Sequence, residues 1–232
     1  MNKATRPETG GILLVNTPRG RTSFSLVSAL RRRLGVKKIG HAGTLDPFAT
    51  GLVVLLVGRD FTRLSDRLLT ADKEYLARVK LGETTDSYDC DGAVTATSSI
   101  EPSLEDIEKA LEAFQGEVDQ IPPMFSAKKI KRKKLYELAR KGQEIERPRC
   151  KVRMSTVFID YHYPYLDIRV SCSKGTYVRS IAHDLGMALG CGAHLVELER
   201  LRSGSFHVSD SIDGASIDDP DCDIASRLQR IV

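Results

Sequence analysis

The sequence predicts a mixed α/β fold, of the α+β kind, with a largely antiparallel sheet flanked by helices, and three observations point to it. Short β-patterned runs intermingle with amphipathic helical stretches along the 232 residues. Their spacing lacks the regular strand–helix–strand period of a parallel doubly wound sheet. Two β-rich runs, 152–163 and 165–172, meet at Pro164, as an antiparallel pair would.

Taken in order, residues 11–16 are an apolar run closed by Pro18 and Gly20, which reads as a buried strand and a turn. Thr22 or Ser23 can cap a helix running to Leu34, with Phe24, Val27, Leu30 and Leu34 on one face and Gly35 as its stop. A glycine-rich loop, 40–51, feeds a second apolar strand, 52–57, and a helix follows over about 62–69. Residues 73–81 alternate, placing Tyr75, Ala77, Val79 and Leu81 on one side and Glu74, Arg78 and Lys80 on the other. Residues 86–92 are polar and turn-rich. Ser103 opens a helix in capping-box style, striped by Leu104, Ile107, Leu111 and Phe114 and stopped at Gly116. After the break at Pro122-Pro123, Leu135, Leu138 and Ala139 suggest a short amphipathic helix closed by Gly142. A helix over 178–189 and an alternating run over 195–201 follow, and the acidic stretch 210–223 reads as loose before a final short helix.

Composition bounds the answer. Apolar residues make up 41% and charged residues 28%, enough to bury a core in one large domain or one domain with an insertion. The longest apolar run, 52–57, is too short to span a bilayer, and residues 1–7 lack the apolar core of a secretory signal. A cytoplasmic chain is expected. Five scattered cysteines without a C-x-x-C pair argue for free buried thiols rather than a disulfide framework or a zinc site. The net charge of +4 is modest, but residues 126–153 hold twelve Lys/Arg against three Asp/Glu, leaving the remainder of the chain at −5. Such a stretch is either a phosphate-contacting surface or a solvated lysine-rich face.

The most unusual local sequence is Gly40-His-Ala-Gly-Thr-Leu-Asp-Pro-Phe-Ala-Thr-Gly51, a tightly shaped loop ahead of a buried strand. It matches neither the P-loop nor the dinucleotide fingerprint. On its own Asp46 before Pro47 reads as a turn residue, and His41 as a loop hydrogen-bonder. At the junction 173–179, Tyr177 and Arg179 lie two apart and share a side if the chain is extended, but the residues alone favour a packed Tyr and a surface Arg. Tyr75 fits core packing. His183 and Asp184, adjacent on a helix, cannot share a face, and neither G-x-S-x-G nor H-E-x-x-H is present.

The loop 40–51 resembles the catalytic-loop motif of the TruB family of tRNA pseudouridine synthases, and the resemblance continues in order along the chain. Asp72-Lys-Glu-Tyr75, Leu81-Gly-Glu-Thr-Thr-Asp86, Gln120-Ile-Pro-Pro-Met-Phe-Ser-Ala127, Lys134-Leu-Tyr-Glu-Leu-Ala-Arg140, Cys172-Ser-Lys-Gly-Thr-Tyr-Val-Arg179, Asp184-Leu-Gly186 and Gly190-Cys-Gly-Ala-His194 carry it over roughly residues 10–205. The resemblance implies the pseudouridine synthase fold and isomerisation of uridine 55 in the tRNA T-arm loop, without metal, cofactor or ATP. It implies Asp46 as the nucleophile, Tyr75 as the ring that stacks on the target base and can abstract a proton, Arg179 as the ion-pair partner of the aspartate and Tyr177 as the aromatic against the flipped nucleotide. Leu198 corresponds to a wall of the base pocket and His41 to the residue filling the space the flipped base leaves. The basic segment, about 122–150, corresponds to a thumb insertion in which Lys128, Lys129, Lys131, Arg132, Lys133 and Lys134 face the RNA backbone. Two departures stand out: Asn16-Thr17-Pro18 replaces an Asp-Lys-Pro, and the short acidic tail, about 206–232, is too small for the C-terminal PUA barrel of many members. The expectation is a single catalytic domain acting as a monomer. Whether the aspartate attacks C6 of the base, attacks C1′ of the ribose or assists elimination to a glycal stays open.

Overall fold

The computed structural model describes residues 10–130 and 133–230. Its strands are β1 (Gly11–Thr17), β2 (Ile39–His41), β3 (Thr50–Val57), β4 (Lys73–Leu81), β5 (Glu83–Thr85), β6 (Val94–Thr97), β7 (Gly116–Gln120), β8 (Lys129–Ile130), β9 (Lys133–Lys134), β10 (Cys150–His162), β11 (Tyr165–Cys172), β12 (Ala193–Ser203), β13 (Phe206–His207) and β14 (Ile212–Asp213). The helices are α1 (Ser23–Leu34), α2 (Arg59–Thr62), α3 (Ser65–Leu69), α4 (Leu104–Leu111), α5 (Leu135–Ala139) and α6 (Val178–Ala188). The chain divides into two compact units, one built from Met1–Glu74 with Glu199–Val232, the other from Tyr75–Leu198. The fold is mixed α/β with mostly antiparallel and some parallel pairing, as the patterning predicts. Among the described residues no helix is long and apolar enough to cross a membrane.

In the first unit the strand order is β14–β1–β3–β12, with β2 on β3 and β13 on β12. β1 and β3 are antiparallel over their whole length, Gly11 opposite Val57 and Thr17 opposite Gly51. Ile12, Leu14, Leu52, Val54 and Leu56 share one core cluster with Ala42 and Phe206, and Leu13, Val15, Val53, Leu55 and Val57 are buried on the opposite face, which is why both strands read as continuous apolar runs rather than alternating ones. Thr22 caps α1 by accepting from the Ser25 N–H at 3.1 Å, and Gly35 closes it in the left-handed conformation at φ 65°. The expected face is only partly right: Val27 and Leu30 are buried with Leu26 and Ala29, but Phe24 is 69% exposed. The helix expected over 62–69 is two short ones, α2 and α3. The acidic tail is not loose. β14 pairs with β1 in parallel, Ile217 and Ile224 are buried, and Gln229 exchanges backbone hydrogen bonds with Ile12 at 2.9 and 2.8 Å. Basic residues of the amino-terminal half hold it: Arg21 pairs with Asp218 at 2.7 Å, and Arg33 donates to the carbonyls of Ile217, Asp219, Pro220 and Cys222.

In the second unit the order is β4–β11–β10–β7. β10 and β11 form the antiparallel pair expected on either side of Pro164, from Met154 opposite Cys172 to His162 opposite Tyr165. Ser103 and Asp106 complete the capping box of α4, although Leu104 of its expected stripe is exposed. The small hairpin β5–β6 is unforeseen in the sequence. Met124, Leu135 and Leu138 form a satellite cluster covered by Phe125, Ile130, Ala139 and Ile145, and β8 pairs with β9. All five cysteines are free, but only Cys172 and Cys191 are buried; Cys90, Cys150 and Cys222 are half-exposed, so the expectation of buried thiols holds for two.

Candidate active site

Asp46 sits half-buried in the loop that leaves β2 and re-enters β3. The two strands pair antiparallel, His41 opposite Leu55, so both ends of the loop are fixed by the sheet. Leu45, Phe48 and Ala49 are buried and anchor it from below. Its backbone is held from several sides: the Ala42 N–H donates to Val54 O (2.9 Å), Leu45 N–H to Ser23 Oγ (3.3 Å), Gly20 N–H to Pro47 O (2.8 Å) and Ala49 N–H to Asp46 O (3.0 Å).

The central brace is Arg200, only 1% exposed. Its Nε donates to Leu52 O at 2.6 Å, and its two terminal nitrogens reach Thr44 O at 3.4 Å and Gly43 O at 3.3 Å. One guanidinium fork thus ties the loop to the strand that follows it. Gly51, at φ 98°, lets β12 come close: a Cβ there would lie 2.5 Å from the Arg200 carbonyl oxygen. Sequence reasoning missed Arg200. The signal was strand parity, since an inward Leu198 puts Arg200 inward as well. His41 is half-buried, with its Nδ1 covered and without a hydrogen-bond partner. Burial, and then the nearby Arg200 cation, hold it below the ordinary value of 6.5, so the imidazole is neutral at pH 7.

The second unit carries Tyr75, Tyr177, Arg179 and Leu198. Tyr75 is half-buried on β4 and Leu198 is buried on β12. Tyr177 is the extended residue before α6, whereas Arg179 lies inside its first turn. The two-apart, one-side geometry of an extended chain therefore does not apply. The Gln120 amide fixes Tyr177 from both sides, accepting from its N–H at 2.8 Å and donating to its carbonyl at 3.0 Å. Nor is Arg179 a surface residue. It is 5% exposed, donates to Ser87 O at 3.3 Å and to Phe125 O at 3.0 Å, and lies 3.2 Å from the carboxylate of Asp89, itself 5% exposed. A buried guanidinium needs this compensation. Asp89 and Gln120 were missed as well, because nothing in the spacing separates Asp89 from its turn neighbours Asp86 and Asp91.

Of the six basic residues assigned to the thumb, Lys131 and Arg132 lie outside the described residues. Lys129 and Lys133 are exposed on the β8–β9 hairpin. Lys128 is half-buried with its ammonium on Cys150 Sγ, and Lys134 donates to Tyr136 Oη at 3.1 Å.

Comparison with known proteins identifies the family. Residues 31–178 match the N-terminal domain of the TruB family pseudouridylate synthases, and residues 179–230 match the C-terminal domain of tRNA pseudouridylate synthase B. The chain is 62% identical to tRNA pseudouridine synthase B of Chlamydia pneumoniae over 94% of its own length and 93% of the relative's. It is 57% identical to the protein of that name from Chlamydia muridarum, over 99% and 95%. Among solved structures, it superposes on a chain of a Cbf5-Nop10-Gar1 complex with a TM-score of 0.69 at 28% identity, over 90% of this chain and 54% of that one; it spans only about half that protein. Motifs, fold and relatives converge, and the chain belongs to the TruB family of pseudouridylate synthases.

Proposed function

We propose that this chain converts uridine 55 in the T-arm loop of tRNA to pseudouridine, with Asp46 as the nucleophile and without a cofactor. The observation that carries this is the half-exposed Asp46 carboxylate on a loop braced by buried Arg200, in a pseudouridylate synthase family member. The reaction breaks the N1–C1′ bond, turns the uracil and joins C5 to C1′, while the proton on C5 leaves for solvent and N1 gains one. A stacked base is out of reach, so the nucleotide must flip, at a cost of a few kcal/mol. Aromatic stacking recovers about 1–3 kcal/mol per base, the role proposed for Tyr75 and Tyr177. A carboxylate enclosed with a base would be pushed towards its neutral form, and a guanidinium opposes that push, the role proposed for Arg179. Leu198 supplies an apolar wall for the base, and His41, neutral and uncharged at pH 7, can take the flipped base's place without bringing a charge into the stack. The exposed lysines of the thumb hold RNA phosphates. The same reading has the chain working in the cytoplasm as a monomer.

T-arm RNA carrying tritium at C5 of uracil tests it. The wild type should release tritium and Asp46→Asn should bind the RNA without releasing any. RNA binding with no release by the wild type would sink the proposal.

A further inference from the structure

Arg179 is held by a loop whose own conformation is unusual. Ser87 and Asp89, which contact its guanidinium at 3.3 and 3.2 Å, flank Tyr88, the one described non-glycine residue at positive φ, 66°. Aromatic residues rarely enter that region, because Cβ crowds the carbonyl oxygen, so a compensating contact is needed. The compensation is visible: the Tyr88 ring lies on the His183 imidazole, centroids 3.8 Å apart and planes 10° from parallel. Tyr88 O also accepts from the Leu195 N–H at 3.0 Å. The ring pair does not fill the core. It lines an open cleft of about 440 Å³ with Met124, Phe125, Arg147 and Met187, so its placement needs a reason other than space-filling.

The register supplies that reason. Arg179 and His183 are four residues apart on α6, one above the other on one face. One loop therefore touches one helix face twice, through Ser87 and Asp89 at Arg179 and through Tyr88 at His183 a turn later. Ser87 Oγ donates to Asp89 Oδ1 at 2.6 Å, so the two contacts on Arg179 move together. If Tyr88 relaxed to negative φ, the peptides on either side would turn, and both acceptors would leave the guanidinium.

We propose that Tyr88 and His183 are positioning residues: their stack holds the 87–89 turn in its left-handed form and thereby aims the Arg179 guanidinium. This deepens the functional reading above and rests on it. Stacking requires two rings and neither a hydroxyl nor an imidazole nitrogen, which makes the inference testable. Tyr88→Phe and His183→Phe should turn over within about twofold of wild type. Tyr88→Asn, which tolerates positive φ but has no ring, and His183→Ala should each lose about tenfold or more in kcat with RNA Kd within about twofold. The double variant Tyr88→Asn/His183→Ala should be no worse than the poorer single one, because the two residues act as one unit.

Tritium release at saturating T-arm RNA, RNA titrations and thermal melts on the full chain read these outcomes. Near-normal kcat in Tyr88→Asn and His183→Ala overturns the inference and leaves the proposed function standing. So does a large loss in either Phe variant while it stays folded, or a double variant whose loss is the product of the single ones. Should Tyr88→Asn or His183→Ala fail to fold, the two Phe variants still decide. A wild type that releases no tritium overturns both readings.

Discussion

Arg200 shows how much of the Asp46 loop depends on a side chain outside it. The backbone of residues 42–49 is irregular, and beside its own backbone hydrogen bonds it leans on one guanidinium, which reaches the carbonyls of Gly43 and Thr44. Replacing Arg200 by Met strips the carbonyls of Gly43, Thr44 and Leu52 of their donor. Of the three, only Leu52 is a buried residue, Gly43 being half-buried and Thr44 exposed, and one buried unpaired carbonyl costs about 1–3 kcal/mol, so urea denaturation of Arg200→Met should show a loss of about that size. Tritium release should fall by about a hundredfold, since misplacing a nucleophile by an ångström costs that much; RNA affinity should change far less. At this scale the sequence was half legible. Asp46, Arg179 and Gln120 stand in long motifs, but what Arg200, Asp89 and Gln120 do comes from burial and from partners up to 157 residues distant, of which local patterning signals only the inward face of Arg200.

Elements were most legible where their own side chains fix them. The β10–β11 pair, the Thr22 and Ser103 caps and the Gly35 stop follow from local chemistry and stand where the patterning puts them. The β5–β6 hairpin escaped because all four residues of β6 are exposed, leaving no alternation to read. Phe24 was misplaced because Leu26 and Ala29 turn the buried arc of α1 away from it. The tail looked loose because an acidic stretch repels itself in isolation, whereas Arg21 and Arg33 neutralise it from far along the chain. The thumb carries the prediction proper to this scale. Lys129 and Lys133 are exposed, unlike Lys128 and Lys134, which are engaged with Cys150 and Tyr136. Reversing both exposed charges, Lys129→Glu with Lys133→Glu, should weaken T-arm binding and flatten the slope of log K against log salt by about 1.5–2, as for two lost phosphate contacts. Filter binding across a salt series measures it; an unchanged slope would remove these lysines from the RNA-binding face.

Stability of the whole molecule should respond to pH through opposing groups. Asp184 is exposed on α6, yet the protein atoms around its carboxyl displace enough water to raise it from its ordinary 3.8 to about 6, against the pull of Arg149. Its contribution is therefore fully present below 3.8 and lost as pH rises through about 6. Asp184→Asn should melt higher than wild type at pH near 7.5, with the gain gone by about pH 4 in differential scanning fluorimetry. His41 and His183 work the other way: both lie below 6.5, chiefly through burial, so their contribution is full above 6.5 and fades as pH falls through the depressed values.

β1 has one further consequence, which concerns synthesis. One of its edges is covered by β3, and the other by β14 and Gln229. Ile212 leaves the ribosome roughly two hundred residues after its partner Val15, a delay of about ten to forty seconds at about 5–20 residues per second. Throughout that interval the nascent chain shows an apolar strand with unpaired amides, while Tyr75–Leu198, contiguous in the chain, is free to fold first. Almost the whole of translation is thus a period when this protein is open to chaperones, and to pairing with the wrong neighbour.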